Sequence, residues 1–308
     1  MNTKQETLGL WLGLLGVAIF AVTLPMTRLA TGTAADPQLS AWFITFARAA
    51  LAGGLSIVFL LVTRSPWPLS TQRLPLLMAL LGNAIGFPLL LGLALRQVTS
   101  GHAAVFTALL PLATAAMSAW VLHQRARLGF WLCAGLGALL VAAFSLLRAH
   151  QMGQGFGLEW ADLLLLGAIA SAAVGYVFGA QVTPALGAER VICWVCVMAL
   201  PLTVPGALLH WPEQAIRTTS WLALGYVGVF SMWAGFFAWF RGLALGGALR
   251  VSQVQLIQPF LSILAAVPLL GEPLEAMTVG FALAVVAVVF LGKRLSTGPV
   301  AVPARGGA

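Results

Sequence analysis

Charged side chains are scarce in this chain of 308 residues. Lys and Arg number 16 and Asp and Glu number 8, so 8% of the sequence is charged, whereas 60% is hydrophobic. A soluble domain carries roughly a quarter charged residues, so this composition excludes a water-exposed surface of ordinary size. Cysteine is also rare, with 3 residues. Cys193 and Cys196 have the CxxC spacing but lack a second pair, so we predict neither a metal nor a cofactor.

Catalytic motifs are missing as well. The sequence has no HExxH and no GxSxG motif, and no second acid lies deep in an apolar run to partner Asp162. A hydrolase or transferase needs a nucleophile with a base, a carboxylate pair or a metal cluster, so we do not expect an enzyme. The net charge is +8, but the basic residues form no patch with interleaved aromatics on a soluble face. We therefore expect no nucleic-acid partner.

What the chain does have is a series of long apolar runs. A helix needs about 20 mostly apolar residues to cross roughly 30 Å of hydrocarbon, and backbone groups cannot stay unpaired in lipid. The sequence therefore predicts an all-α integral membrane protein with ten transmembrane helices in contact with the lipid bilayer. The runs lie near residues 8–30, 39–62, 74–95, 101–122, 128–147, 159–181, 189–209, 220–242, 248–270 and 275–293.

Basic residues in the connections predict the orientation, because Lys and Arg are retained on the cytoplasmic side. With both termini cytoplasmic, four arginines fall outside, namely Arg28, Arg96, Arg148 and Arg217. Eleven basic residues then fall inside, namely Lys4, Arg64, Arg73, Arg125, Arg127, Arg190, Arg241, Arg250, Lys293, Arg294 and Arg305. This excess predicts a multi-pass protein with both termini in the cytoplasm.

The two halves of the chain resemble each other. An offset of 148 residues without gaps aligns 95–130 with 243–278 and places Pro111 over Pro259. Each half then has five helices, and an odd number of crossings forces the two halves to insert with opposite orientations. Inverted repeats place a substrate site near the bilayer midplane, where two nearly equivalent halves can exchange inward-open and outward-open shapes. We therefore predict two inverted five-helix repeats around a central cavity that works by alternating access.

The domain boundaries follow from this repeat. We predict a first five-helix repeat at residues 1–150 and a second, inverted repeat at residues 151–295. Residues 296–308 are rich in Pro and Gly, which predicts a disordered cytoplasmic tail.

The end of the second half resembles a known family. Residues 259–264 read Pro-Phe-Leu-Ser-Ile-Leu, and Leu-Gly-Glu-Pro-Leu at 270–274 and Gly280 follow. A proline-containing helix, a Gly-Glu turn and a final apolar helix resemble the EamA family of the drug/metabolite transporter superfamily, and the resemblance covers essentially the whole chain. The first half departs from this pattern, because Gln124 lies where the second half has Glu272.

This resemblance implies an architecture and a function. It implies a basket of helices one to four and six to nine around the cavity, with helices five and ten outside, in an exporter of small organic solutes. With 11 Trp and 17 Phe, its length and its basic balance, the chain is similar to the bacterial aromatic amino-acid exporters of the inner membrane. We therefore expect amino acids as small-molecule substrates, with aromatic ones favoured. A multidrug or organic-cation exporter and a channel-like pore are the alternatives, and the oligomeric state is left open.

Polar residues inside apolar runs mark contacts between helices or a solute pathway, because they are costly to place in lipid. Arg48 lies about ten residues into the second run, where EamA-like sequences commonly show an arginine, and we expect a structural or a pathway role. Asn83 lies among small residues that permit close helix approach and binds either substrate or another helix. His102 opens the fourth run and can change charge near neutral pH, so it is a further candidate substrate contact.

Two more groups of residues are candidates for the pathway. In the ninth run, Ser252 and Gln255 lie roughly on one helical face with Pro259, a polar stripe that should avoid lipid. In the eighth run, Trp233 belongs to an aromatic stripe at helical spacing and could stack on a flat substrate ring. Tyr176 in the sixth run is a similar candidate.

Prolines at repeat-equivalent positions are candidates for gating. A proline inside a helix removes a backbone hydrogen bond and creates a flexible point. Pro111 and Pro259 occupy the same place in the two repeats, and we predict that they act as gating kinks, with static bends as the alternative.

Overall fold

The described part of the chain is helical. A computed structural model describes residues 3–121, 128–151, 159–246 and 254–296, and these ranges contain no β-strand beyond one bridge between Gly32 and Pro37. The all-α prediction is therefore confirmed. The predicted tail falls outside the described residues from position 297 onward.

The helical segments group into ten apolar stretches within the described ranges. In the first half they are α1, Thr3–Ala21 and Thr23–Thr31; α2, Ala41–Val62; α3, Ser70–Ala79 and Phe87–Leu95 joined by the π-helical Leu80–Gly86; α4, Ser100–Thr107 and Leu110–Val121; and α5, Leu128–Gln151. In the second half they are α6, Trp160–Leu186; α7, Ala188–Leu209; α8, Thr218–Tyr226 and Gly235–Gly246 joined by the π-helical Val227–Ala234; α9, the 3₁₀ turn Gln255–Ile257 and Gln258–Leu270; and α10, Ala276–Ser296.

Seven of these stretches, α1 to α4 and α6 to α8, are long and apolar enough to cross a membrane. In α5, α9 and α10 the apolar part that the structure describes is shorter, at 10–17 residues. The chain is therefore a multi-pass membrane protein, and the full count of ten crossings stays a prediction.

Local sequence signals explain several helix ends. The Ser40 side chain accepts a hydrogen bond from the Phe43 amide at 3.0 Å and caps α2, and the Thr99 side chain caps α4 in the same way. Gly187 separates α6 from α7 with a φ of +85°, and Gly271 ends α9 with a φ of +68°. Both backbone conformations favour glycine because it has no Cβ.

Helix pairing divides the bundle into a centre and a periphery. α2 packs along α7, the first half of α1 packs along the second half of α8, and α3 packs along α6. α5 and α10 pack chiefly on each other. Glycines allow the closest approaches, since Gly242 lies against Gly13 and Gly82 lies against Gly175. Lipid tails are as apolar as the helix surfaces, so the hydrophobic effect does not drive helices together within a membrane. Close backbone contacts stabilise these helix pairs by van der Waals attraction instead.

The connections between helices meet at two opposite ends of the bundle. At one end, Arg217 before α8 forms an ion pair with Asp36 in the α1–α2 connection, and Arg28 near the end of α1 pairs with Glu272 beyond α9. At the other end, Arg190 at the start of α7 donates a hydrogen bond to Ser65 in the α2–α3 connection at 2.9 Å. Successive helices with described connections therefore run in alternating directions.

Candidate functional site

A cavity lies between the two halves of the chain. It comprises about 530 Å³ of space between atoms, part of which is open to the surroundings, and its described lining comes from α1, α2, α3, α4, α6, α8 and α9. Within that described lining, α5, α7 and α10 contribute no residue. α7 lies behind α2, while α5 and α10 lie outside, so seven helices surround a chamber to which both repeats contribute.

One wall of the cavity is polar. Arg48 on α2 is 3% exposed, and its Nη2 donates a hydrogen bond to the Ser231 hydroxyl at 3.1 Å. The Thr23 hydroxyl donates to the same oxygen at 2.8 Å. Asn83 and Gln258 add two amide side chains to the lining. Hydroxyl, amide and guanidinium groups converge here from α1, α2, α3, α8 and α9.

Aromatic rings form much of the remaining lining. Phe20, Phe87, Tyr176 and Phe236 line the cavity. The rings of Phe20 and Phe236 meet edge to face at 5.1 Å between centroids, and Tyr176 meets Phe236 at 6.4 Å. A concave site with an apolar aromatic surface and a few placed polar groups is the usual form of a small-molecule site.

Two π-helical segments bring Asn83 and Ser231 to the cavity. They lie in α3 and α8, and the offset of 148 residues that relates the repeats aligns Asn83 with Ser231. In α3 the cause is local, since Pro88 has no N–H to bond the Ala84 carbonyl in an α-helical pattern. Nothing in the local sequence explains the segment in α8. π-helical turns occur frequently at functional sites.

The two predicted gating prolines face a shared pocket beside the cavity. α4 is interrupted between Thr107 and Leu110, and in α9 the 3₁₀ turn Gln255–Ile257 precedes Gln258–Leu270, so each proline is the second residue of the segment that follows an irregular turn. Apart from Val286, the described lining consists of two matched quartets at an offset of 148 residues, namely Thr107, Ala108, Leu110 and Pro111 from one repeat and Gln255, Leu256, Gln258 and Pro259 from the other.

The structure brings some of the predicted site residues together and places others elsewhere. Arg48, Asn83 and Tyr176 line the central cavity, and Gln255 lines the adjoining proline pocket. The remaining predicted substrate contacts, His102 and Trp233, are not among the described lining residues of either space, and Ser252 lies outside the described residues.

His102 lies in the first turn of α4 and is buried against α6. It is 3% exposed, and its Nε2 lies 2.7 Å from the Asp162 Oδ1. Its ring stacks on Phe106 at 5.2 Å and contacts Phe144 at 5.1 Å. Asp162 also accepts the Glu159 amide at 3.1 Å, so one carboxylate both holds the histidine and caps the start of α6.

Trp233 packs between helices. Its ring lies 4.6 Å from Phe237 and 6.4 Å from Phe59, in the cluster that joins α8 to α2 and α7. A π-helical turn has more residues than an α-helical turn, so the spacing of the aromatic stripe no longer predicts which face Trp233 occupies.

Glu272 is a residue that sequence reasoning missed. Its carboxylate accepts the amides of Ser100 at 2.9 Å and Gly101 at 3.2 Å, at the start of α4. It also pairs with the Arg28 Nε at 3.3 Å, while the same guanidinium donates to the carbonyl oxygens of Leu95 and Val98. An anion at a helix N-terminus satisfies free amides and the helix dipole together. The Gly-Glu turn was the available signal.

Replacing Glu272 by Gln should loosen this end of the bundle. The variant loses the charge that holds Arg28 and the first amides of α4, and hydrogen bonds to charged groups contribute about 1.5–3 kcal/mol each. We expect the free energy of unfolding to fall by about 1–3 kcal/mol, measured by thermal denaturation in detergent. Glu213→Gln, at an exposed acid of the neighbouring connection, is the control, and an equal loss in both variants would contradict the contact.

The described residues contain no candidate metal site. Over residues 3–121, 128–151, 159–246 and 254–296, no group of three or more His, Cys, Asp or Glu side chains could hold a metal ion. Cys193 and Cys196 are free and buried among α7 packing contacts.

Comparisons with known proteins agree with this architecture. Residues 7–146 and 159–292 each match the EamA-like transporter family. A protein of Bacillus subtilis (strain 168) named "Uncharacterized transporter YdeK" is 40% identical over 295 residues, which span 95% of this chain and 99% of that protein. A solved crystal structure shares the fold with a TM-score of 0.59 at 20% identity, over 94% of this chain and 98% of the other.

The two matched stretches confirm the resemblance to the EamA family and its two-repeat architecture, while the predicted boundaries at 150 and 295 stay predictions. With one family domain in each half and a transporter as a relative along its whole length, the chain belongs to the EamA-like transporter family.

Proposed function

We propose that this transporter exports small organic solutes through the central cavity, with amino acids as substrates and aromatic amino acids favoured. The observation that carries the proposal is the chamber itself. It lies between the two repeats and joins four aromatic rings to a cluster of amide, hydroxyl and guanidinium groups. An amino acid has an apolar side chain and a charged backbone end, and the aromatic and polar groups of the lining complement these two parts.

Alternating access is the proposed mechanism. Ten crossing helices in two inverted repeats would place the chamber near the midplane, with nearly equivalent halves on either side. Support comes from features that occur once in each repeat, since the two π-helical segments and the two proline breaks correspond at one offset. The breaks at Pro111 and Pro259 line one pocket, where opposite bending of α4 and α9 could open either side.

The proposal assigns roles by position. Asn83 and Tyr176 contact the solute in the chamber, and Gln255 lines the route between the proline breaks. His102 and Trp233 hold helices together and do not touch the solute. The protein sits in a bacterial inner membrane with both termini cytoplasmic, as the excess of basic residues on that side supports.

Solute flux in proteoliposomes tests this function. We expect saturable flux with counterflow for aromatic amino acids, weaker flux for aliphatic ones and none for organic cations. Tyr176→Leu should weaken the apparent affinity for aromatic solutes about 2- to 10-fold, because an aromatic contact contributes about 0.5–1.5 kcal/mol. Phe230→Leu is the matched control, since Phe230 is an aromatic of α8 that is 48% exposed and outside the described cavity lining.

Each alternative has its own signature in the same experiment. Flux of cations alone would show a multidrug exporter. Large unitary currents without counterflow would show a pore. If only non-aromatic amino acids moved, export would stand and the preference for aromatic solutes would be wrong.

A further inference from the structure

Arg48 is the one charged residue in the described lining of the central cavity. We infer that Arg48 is an anion-binding subsite that takes the carboxylate of the transported solute, so that the chamber selects carboxylate-bearing solutes and rejects organic cations. This inference rests on the proposed function, because it assigns the chemistry of the solute in the same chamber.

The hydrogen bonds of Arg48 leave most of its donors unused. Nη2 donates to the Ser231 hydroxyl, but Nε and Nη1 have no hydrogen-bond partner among the described residues. Nε carries one hydrogen and Nη1 carries two, so three N–H donors lack an acceptor. A buried donor without a partner is costly, and structures rarely retain one without a reason.

The charge of Arg48 is also uncompensated. Among the described lining residues of the cavity there is no Asp or Glu. Other arginines near the ends of the bundle do have a carboxylate, since Arg28 pairs with Glu272 and Arg217 pairs with Asp36. A buried charge needs an opposite charge or a full set of hydrogen bonds to be retained. The compensating anion must therefore come from outside the described protein residues.

A carboxylate suits the unpartnered Arg48 donors better than a neutral polar group does. Guanidinium donors match the geometry of a carboxylate, and the charge-assisted bonds are about twice as strong as neutral ones. Asn83 and Gln258 lie on the same chamber and could bind the other polar atoms of the solute. The aromatic rings then face its apolar part. Nε and Nη1 are buried, so solute entry must widen the wall beside Ser231.

A positively charged solute would meet the opposite situation. The buried guanidinium repels a second cation, and the repulsion is stronger in the low dielectric of the protein interior than in water. A chamber built for organic cations would carry a carboxylate at this depth. A substrate analogue that lacks the amine should therefore still bind, whereas an analogue that lacks the carboxylate should not.

Competition experiments in proteoliposomes test the subsite. Tryptophan and leucine flux would be measured with excess carboxylate analogues, indole-3-propionate and 4-methylpentanoate, or amine analogues, tryptamine and 3-methylbutylamine. We expect the acids to compete and the amines to fail. Arg48→Gln should weaken competition by the acids about 10- to 100-fold, the range for a hydrogen bond to a charged group. Arg48→Lys should retain part of it, because it keeps the charge.

Arg73→Gln is the matched control, since Arg73 is an exposed arginine at the start of α3 and should leave competition unchanged. Thermal stabilisation of the purified protein by the acids gives a readout that does not need flux. Equal competition by the amines, or full acid binding in Arg48→Gln, would overturn the subsite while leaving export in place. If no amino acid moved but the acids stabilised the native protein and not Arg48→Gln, the subsite would stand and the proposed function would fall.

Discussion

Replacing Asp162 by Ala should lower the free energy of unfolding by about 2–5 kcal/mol, because each buried group that is left without its partner costs about 1–3 kcal/mol. The variant leaves the His102 Nε2 without its partner at 2.7 Å and the Glu159 amide without an acceptor. Both side chains of the pair are almost fully buried, at 4% and 1% exposure, so water cannot replace the lost contact. Thermal and denaturant unfolding in detergent would measure the change.

An exposed pair in the same molecule supplies the control. Asp36 and Arg217 form an ion pair with side chains 58% and 56% exposed, and exposed pairs contribute about 0–1 kcal/mol. Asp36→Ala should therefore have little effect. The double variant Asp162→Leu with His102→Phe should recover much of the stability, because replacing both partners by apolar groups can be nearly neutral. Equal losses in the two alanine variants would show that burial of the pair is irrelevant.

Replacing Gly82 by Ala should separate α3 from α6. A Cβ at Gly82 would lie within 2.5 Å of the Ser171 carbonyl oxygen and the Gly175 amide nitrogen. These are backbone atoms, so no side-chain rotation can relieve the clash and the helices must move apart. Overpacking of this kind costs about 1–3 kcal/mol or more. Because Asn83 follows Gly82 in the chain, we also expect a loss of solute flux, measured in the same proteoliposomes.

Gly54→Ala is a control with the opposite expected sign. Gly54 lies on α2 with nothing within 4 Å of an added Cβ. Alanine is favoured over glycine in a helix by about 1 kcal/mol, so this variant should be neutral or slightly more stable. A Gly82→Ala protein with native stability and flux would mean that the α3–α6 contact is looser than the structure shows.

Hydropathy and the internal repeat were enough to predict much of the architecture. Apolar runs of helix length exclude a soluble fold, and the helical structure of the described residues follows from the backbone hydrogen-bonding requirement. The alignment of Pro111 with Pro259 also predicted that the two would occupy equivalent places, and they line one pocket. Arg48 and Asn83 could be selected because a polar group at membrane depth needs a protein or solute partner, and Tyr176 because its ring could stack on a flat solute.

Hydropathy and the repeat could not predict which side chains of different helices contact each other. His102 and Asp162 are 60 residues apart, and both could be placed near one face of the membrane. Their contact depends on how α4 and α6 are rotated about their axes, and a helix that is apolar on all sides gives no rotational signal. The packing of Trp233 could not be predicted for a related reason, because a regular helical period cannot be continued through a π-helical turn.

The matched π-helical turns bear on the history of the chain. A π-helical turn holds a surplus residue relative to an α-helical one, and such turns are rare. Here they lie in α3 and α8 at corresponding positions, although proline accounts for the first alone. A surplus residue at one register in both copies is expected if an ancestral single unit already possessed it before gene duplication. The backbone geometry that places Asn83 and Ser231 at the cavity would then be older than the sequence differences between the two repeats.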